Sequence, residues 1–472
     1  MASNNAVPAR PGEPAAAPDT AEAPGPAQLK AVLLSPGYLK LLVLAALVGI
    51  PVSLVAFGFV SLEHQLQHWV WESSPDALGY STPPWWWPLP TLTLAGLLIA
   101  PVLILMPGHG GHLPVQGMGG PPLPPKAVPS VVCAALIALP LGAALGPEAP
   151  LMALGGGLAL LAVRRRQLDA NPKLGAVVSA AGSSAAISTI FGNPLVAGVM
   201  MLEAAGLGGP QLLLLIVPCL LASGIGALVF TGFGHWTGLG IGALSLPSVP
   251  KSGIPDAAEL LWTLPVAALI ALVVVGVQAL GWQTAAFARR RAGQPTAVPT
   301  ALRTLLCAVA VGVAIAAYAL CTGRSPEDAA LSGQITLAQI AEQPASWGIG
   351  TLVLLVLFKG LAWGFSLGSL RGGPIFPALM VGAAAGVACG GLPGLGIPSG
   401  FAVGLAAAGT AITGLPVTST LLAMLLIGDS VGEVTPLLIV SSVVAFIVST
   451  KFRFRPETAR QSSGPSEPER QT

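Results

Sequence analysis

The chain has 472 residues, of which 53% are hydrophobic and only 8% charged, with a formal net charge of +2. Soluble domains carry roughly 25% charged residues. So few charges cannot clothe a water-facing surface, and most of the chain must meet lipid or other apolar helices. No basic patch of the kind nucleic acid needs is present, which excludes that partner.

Residues 1–33 are rich in Ala, Pro, Glu and Asn and read as a disordered tail. The polar, proline-rich start does not resemble a cleavable signal peptide. Residues 34–452 read as an all-α, polytopic transmembrane domain in two halves, approximately 34–235 and 255–452, and residues 453–472 as a second disordered tail. The tails leave no room for a folded soluble regulatory domain.

Within the domain, apolar runs fall near 38–61, 88–106, 127–145, 149–163, 174–191, 194–205, 210–232, 258–284, 301–321, 346–366, 375–390, 401–413, 415–427 and 432–450. A simple spanning helix needs about 20 residues, and several of these runs are shorter. The 59 glycines and 45 prolines concentrate inside them. Small residues allow close helix approach. Broken backbone is tolerated in a bilayer only where protein buries it or it lines a cavity. The five cysteines lie in apolar stretches without metal-ligand spacing and read as packing residues. Trp85-Trp86-Trp87 reads as an interfacial anchor. His64 and His68 share a helix face as an interfacial pair, and Lys359 reads as a structural charge paired with a carboxylate or backbone carbonyls.

The halves compare with one another. Gly146-Pro147-Glu148-Ala149-Pro150-Leu151-Met152-Ala153-Leu154-Gly155 aligns without a gap on Gly373-Pro374-Ile375-Phe376-Pro377-Ala378-Leu379-Met380-Val381-Gly382, with Gly, Pro, Pro and Gly in register. Asn193-Pro194 through Gly198 similarly meets Leu415-Pro416 through Thr420. Short broken segments at matching places in two halves point to a binding site. The basic clusters Arg164-Arg165-Arg166 and Arg289-Arg290-Arg291, with the lysines and arginines flanking the outermost spans, predict that both termini are cytoplasmic.

A Gly-Pro start suits a helix N-terminus with proline at the first helical position. The free amides of Glu148 and Ala149 in one segment, and of Ile375 and Phe376 in the other, then present the positive ends of two helix dipoles. Two such ends converging would bind an anion without a full positive charge. Glu148 is an ionisable residue among apolar helices and hence a functional candidate. Its carboxylate could occupy the anion site and gate it.

Four stretches resemble the CLC family of voltage-gated chloride channels and chloride/proton exchangers. Gly146-Pro147-Glu148-Ala149-Pro150 resembles the family's G-K/R-E-G-P motif with its gating glutamate. Asn193 through Glu203 resembles N-A-P-L-A-G…L-E. Lys359 through Ser366-Leu367-Gly368-Ser369 to Gly373-Pro374-Ile375-Phe376-Pro377 resembles K…L-G-S-G…G-G-I-F-A-P. Gly108-His109-Gly110-Gly111-His112-Leu113-Pro114 resembles G-S-G-I-P.

The resemblance implies a CLC-like inverted repeat of many tilted, partly broken helices. It implies a homodimer in the cell membrane with a pore in each subunit. It implies chloride or another small anion as substrate, with protons as a candidate co-substrate. It adds His109, Gly110 and Gly111 to the candidate anion-binding set of Glu148, Ala149, Ile375 and Phe376, makes Glu148 the gate, and makes Glu203 a candidate proton relay. The chain departs from the pattern at Pro147 and Ala149, at the anion-touching serine (with His109 and Gly111 as rival counterparts) and at the inner tyrosine, which has no counterpart. No cofactor or metal is expected.

Two other classes compete. An unrelated secondary transporter with broken helices, carrying a small organic solute, would favour the same Gly/Pro breaks. An enzyme is not expected, since no H-E-x-x-H zinc motif occurs.

Overall fold

Helices start here where proline fits the first turn and a small polar side chain stands before it. Ser35 Oγ accepts the amide of Tyr38 ahead of Pro36. Asn171 Oδ1 takes the amide of Leu174 ahead of Pro172, and Asn193 Oδ1 those of Leu195 and Val196 ahead of Pro194. Each satisfies donors the helix leaves open.

The computed structural model describes residues 26–117, 122–163, 171–206, 210–237, 246, 253–289, 297–428 and 431–453. The basic residues Arg164, Arg165, Arg166, Arg290 and Arg291 lie outside the described residues. So do residues 1–25 and 454–472 of the two expected tails.

Among the described residues the chain forms α1 (Pro26–Leu33), α2 (Pro36–His68), α3 (Ser74–Ala77), α4 (Pro88–Leu105), α5 (Val128–Ala138), α6 (Glu148–Leu161), α7 (Pro172–Phe191), α8 (Pro194–Ala205) and α9 (Pro210–Thr237). There follow α10 (Ala257–Arg289), α11 (Ala297–Thr322), α12 (Gln334–Glu342), α13 (Ile349–Ser369), α14 (Ile375–Cys389), α15 (Ile397–Thr413), α16 (Pro416–Ile427) and α17 (Val431–Phe452). No strand is present among them, only an isolated antiparallel bridge between Gly146 and Gly373. Eight helices are long and apolar enough to cross a membrane, and six apolar ones are shorter. The protein is thus a multi-pass, all-α membrane protein.

Besides the single-turn α3, two helices lie outside the apolar runs. α1 occupies part of the expected N-terminal tail and touches α2 and α9. α12, with its Gln, Thr and Glu residues, buries Leu337, Ile340 and Ala341 and packs on α14.

The repeat recurs in the packing. A Cβ on Gly155 of α6 would sit 2.3 Å from the Gly182 carbonyl of α7, and one on Gly182 2.3 Å from the Gly155 carbonyl. In the second half, a Cβ on Gly382 of α14 would lie 2.3 Å from the Gly404 carbonyl of α15, and one on Gly404 2.1 Å from the Gly382 carbonyl. Residues 227 apart on α6 and α14 therefore meet partners 222 apart on α7 and α15. Backbone contact of this kind holds membrane helices together where lipid supplies no hydrophobic drive. The equivalent segments meet antiparallel at Gly146 and Gly373, as the halves of an inverted repeat do.

Candidate site at two facing helix N-termini

α6 and α14 both begin inside the protein, and their N-termini face one another across the Gly146–Gly373 bridge. The Gly146 amide donates to the Gly373 carbonyl at 2.8 Å, and the Gly373 amide to the Gly146 carbonyl at 2.5 Å. The helices start one residue later than the sequence predicts. Pro147 and Pro374 take the cap position, and Glu148 and Ile375 open the helices. A proline there has no amide to leave unsatisfied.

Glu148 is fully buried. Its Oε1 accepts the amide of Ile375 in a short hydrogen bond and that of Phe376 at 3.4 Å. The carboxylate of one half therefore lies on the N-terminal amides of the other, where the dipole favours negative charge. Oε2 finds no hydrogen-bond partner among the described residues. Leaving a buried polar atom unpaired is costly. The space is tight: a Cβ on Gly373 would lie 2.2 Å from the Glu148 carboxyl carbon, and one on Gly146 2.1 Å from Oε2. Only glycine fits at either position. The Phe376 ring closes one side against Phe191, with centroids 5.8 Å apart. Ala149 is half-buried behind Glu148. The arrangement seats a carboxylate, a group of small-anion size, on the N-terminal amides of α14.

The structure brings Glu148, Ile375 and Phe376 together. The His109–Gly111 turn makes its hydrogen bonds elsewhere. The His109 amide donates to the Met106 carbonyl (3.1 Å), the Gly110 amide to Ser130 Oγ (3.3 Å) and the Gly111 amide to the Gly108 carbonyl (2.8 Å). His109 Nδ1 lies 2.8 Å from the Leu103 carbonyl. The turn joins the segment leading into α14 through Arg371, whose Nη2 donates to the His109 carbonyl at 3.2 Å.

Glu203 lies at the end of α8 and reaches the start of α16. Its carboxylate accepts the amides of Val417 (2.9 Å) and Thr418 (2.8 Å) and the Thr418 hydroxyl (2.7 Å). In the first half, Asn193 caps the equivalent helix. Leu415 stands in its place in the second half and cannot, so Glu203 supplies the missing acceptor.

Two polar side chains support the segment before Glu148. Ser366 Oγ accepts the Ala144 amide (3.3 Å) and so ties α13 to that segment. Lys359, fully buried, donates to the carbonyls of Ala330 (2.5 Å) and Leu331 (2.8 Å), the backbone pairing its sequence context allows. Leu331 has a positive φ of 58°, and its amide donates to the Gly142 carbonyl at 3.5 Å. The buried lysine thus pins a strained turn against the chain leading to Glu148.

A family model described as "Voltage gated chloride channel" matches residues 113–450. YfeO of Escherichia coli (strain K12 / DH10B), named for putative ion transport, is 30% identical over 157 residues. Its homonym in Shigella boydii serotype 4 (strain Sb227) is equally similar. These matches span 33% of this chain and 37% of the relative, so the chain covers little more than a third of their length. Two solved structures share the fold. A slow cyanobacterial Cl-/H+ antiporter has TM-score 0.72 at 18% identity, covering 91% of this chain and 98% of that one. A CLC-type fluoride/proton antiporter has TM-score 0.67 at 18% identity, covering 88% and 96%.

Proposed function

The chain belongs to the voltage-gated chloride channel family, and we propose that it moves chloride or a related small anion along a path gated by Glu148. Membership sets aside the unrelated solute carrier. The observation that carries the reading is the Glu148 carboxylate seated on the α14 amides of Ile375 and Phe376. A bound carboxylate there competes with a permeating anion for the same helix end. Protonation, or displacement by the anion, takes it off the amides and leaves a site that binds without a full counter-charge, as permeation requires.

Passive or poorly coupled anion flow is the form we favour, a channel or leaky anion/proton exchanger. Both oxygens of Glu203 are engaged by three donors of α16, which supports a structural role over proton carriage. The three tyrosines, Tyr38, Tyr80 and Tyr318, offer no inner-gate counterpart. We further place the protein in the cell membrane as a homodimer with both termini cytoplasmic, on the family resemblance and the basic flanks of the spans.

The test is anion efflux from proteoliposomes at fixed voltage with internal pH recorded. Chloride efflux with little proton movement is expected. A chloride gradient that drives uphill proton movement at fixed stoichiometry would establish tight antiport instead.

A further inference from the structure

The chain turns at residues 139–142, just past α5, and runs from there to Glu148. A side chain at the end of α2 holds that turn. α2 passes into a single π-helical turn, Trp69–Ser73, and such turns recur at functional sites. Two residues apart on it, Trp69 is exposed and Trp71 fully buried. The Trp71 indole donates to the Pro140 carbonyl at 2.9 Å. In a continuing helix the Ala144 amide would take that carbonyl, but it donates instead to Ser366 Oγ at 3.3 Å. Trp71 and Ser366 thus serve the two ends of one broken helical bond, neither of which can be left buried and unpaired without cost. The Trp71 ring also lies against Gly142. Gly142 has a φ of 110°, and a Cβ there would stand 2.7 Å from Cζ2 of Trp71, so glycine is needed for both the backbone and the contact. Trp71 is itself anchored, since the Trp87 indole donates to the carbonyl of its neighbour Val70 at 3.1 Å.

We propose that Trp71 is a positioning residue of the Glu148 gate: it holds the Pro140–Gly142 turn and so sets where α6 starts relative to the α14 amides. Four residues on from Gly142 comes Gly146, whose bridge to Gly373 brings Glu148 to α14. Ala143, Ala144 and Leu145 between them are buried. A packed segment passes a displacement on, where a loose loop would absorb it. Without the indole donor the turn gains freedom, and the carboxylate sits less firmly on the Ile375 and Phe376 amides. The closed gate then gives way more readily. The effect is graded, because the Leu331 amide still donates to the Gly142 carbonyl at 3.5 Å on the turn that Lys359 holds.

This inference rests on the Glu148 gate proposed above. It is tested by chloride efflux from proteoliposomes at fixed voltage, per monodisperse protein. Wild type is compared with Trp71→Phe and Trp71→3-benzothienylalanine, each with and without Glu148→Gln. Benzothienylalanine keeps the shape of the ring and puts sulfur in place of N–H. It removes the donor alone and reports even where phenylalanine leaves a void that prevents folding. Loss of one hydrogen bond is expected to raise flux at about pH 7.5 about three-fold in both variants. Flux at about pH 4.5, where protonation opens the gate, should stay within about two-fold. On the Glu148→Gln background the Trp71 variants should match their parent. A merely structural role would lower flux at every pH and on both backgrounds alike. Wild-type flux from the benzothienylalanine variant at about pH 7.5 overturns the proposal, as does an equal change on the Glu148→Gln background. Wild type without chloride efflux, or Glu148→Gln with the wild-type pH profile, removes the gate reading and this inference with it. A pH profile that Glu148→Gln flattens and the Trp71 variants leave unmoved removes this inference alone.

Discussion

Glu203 and Thr418 bind the two halves of the protein to one another: the carboxylate of the first half takes both the amide (2.8 Å) and the hydroxyl (2.7 Å) of the residue near the start of α16. Glu203→Ala leaves those donors and the Val417 amide without an acceptor. Loss of a helix cap and a charge-assisted pair costs about 1–3 kcal/mol. The thermal midpoint in detergent should fall, while chloride flux per folded protein should persist. A variant that keeps its midpoint but loses proton movement would make Glu203 a relay.

Backbone contact at Gly382 and Gly404 leaves no room for a methyl group, since a Cβ on Gly382 would lie 2.3 Å from the Gly404 carbonyl oxygen. Gly382→Ala should force α14 and α15 apart, cost about 1–3 kcal/mol and disturb the helix start beneath Glu148. Gly276→Ala, where a Cβ meets nothing within 4 Å, serves as the control. Equal yields of monodisperse protein and equal midpoints for the two variants would contradict the packing account.

The short turn at Pro326–Asp328 holds a group that titrates near neutrality. Burial first, then the charges of Glu72 and Asp328, push Glu327 up to about 7 from the ordinary 4.5. A folded-state pKa above the unfolded one means the folded protein holds the proton more tightly. Its stabilising effect is complete below about pH 4.5 and fades as pH rises through about 7. Thermal midpoints should therefore decline between about pH 5 and pH 8, and Glu327→Gln should flatten that part of the curve. The surrounding groups Glu72, Asp76, His68, Arg324 and Asp328 remain in the variant. An unchanged slope would show that they, and not Glu327, carry the dependence.

Much of this was legible because Gly and Pro punctuate the chain. The match of Gly146–Gly155 to Gly373–Gly382 locates both helix ends that meet at Glu148, and the same offset reappears in the Gly155 and Gly382 contacts. The one-residue shift at Pro147 and Pro374 was not legible, since proline suits both the cap and the first helical position. α12 was hidden by its Gln, Thr and Glu residues, while the helix it packs on, α14, lies outside its local sequence. Arg371 carries no signal of its own because its significance lies in a partner 262 residues away, the His109 carbonyl. Glu203 likewise answers to Val417 and Thr418, 214 and 215 residues on. Periodicity and local motifs hold no information on such pairs.

Glu148 is the centre of the account, and Glu148→Gln is its most direct test. Chloride efflux from proteoliposomes at fixed voltage would be measured from about pH 4.5 to pH 8 for wild type and variant. A carboxylate that leaves the Ile375 and Phe376 amides on protonation predicts wild-type flux that rises as pH falls. The glutamine, neutral at every pH, should give flux that is flat across the range and no lower than the wild-type maximum. Identical pH profiles for the two proteins would contradict the gate.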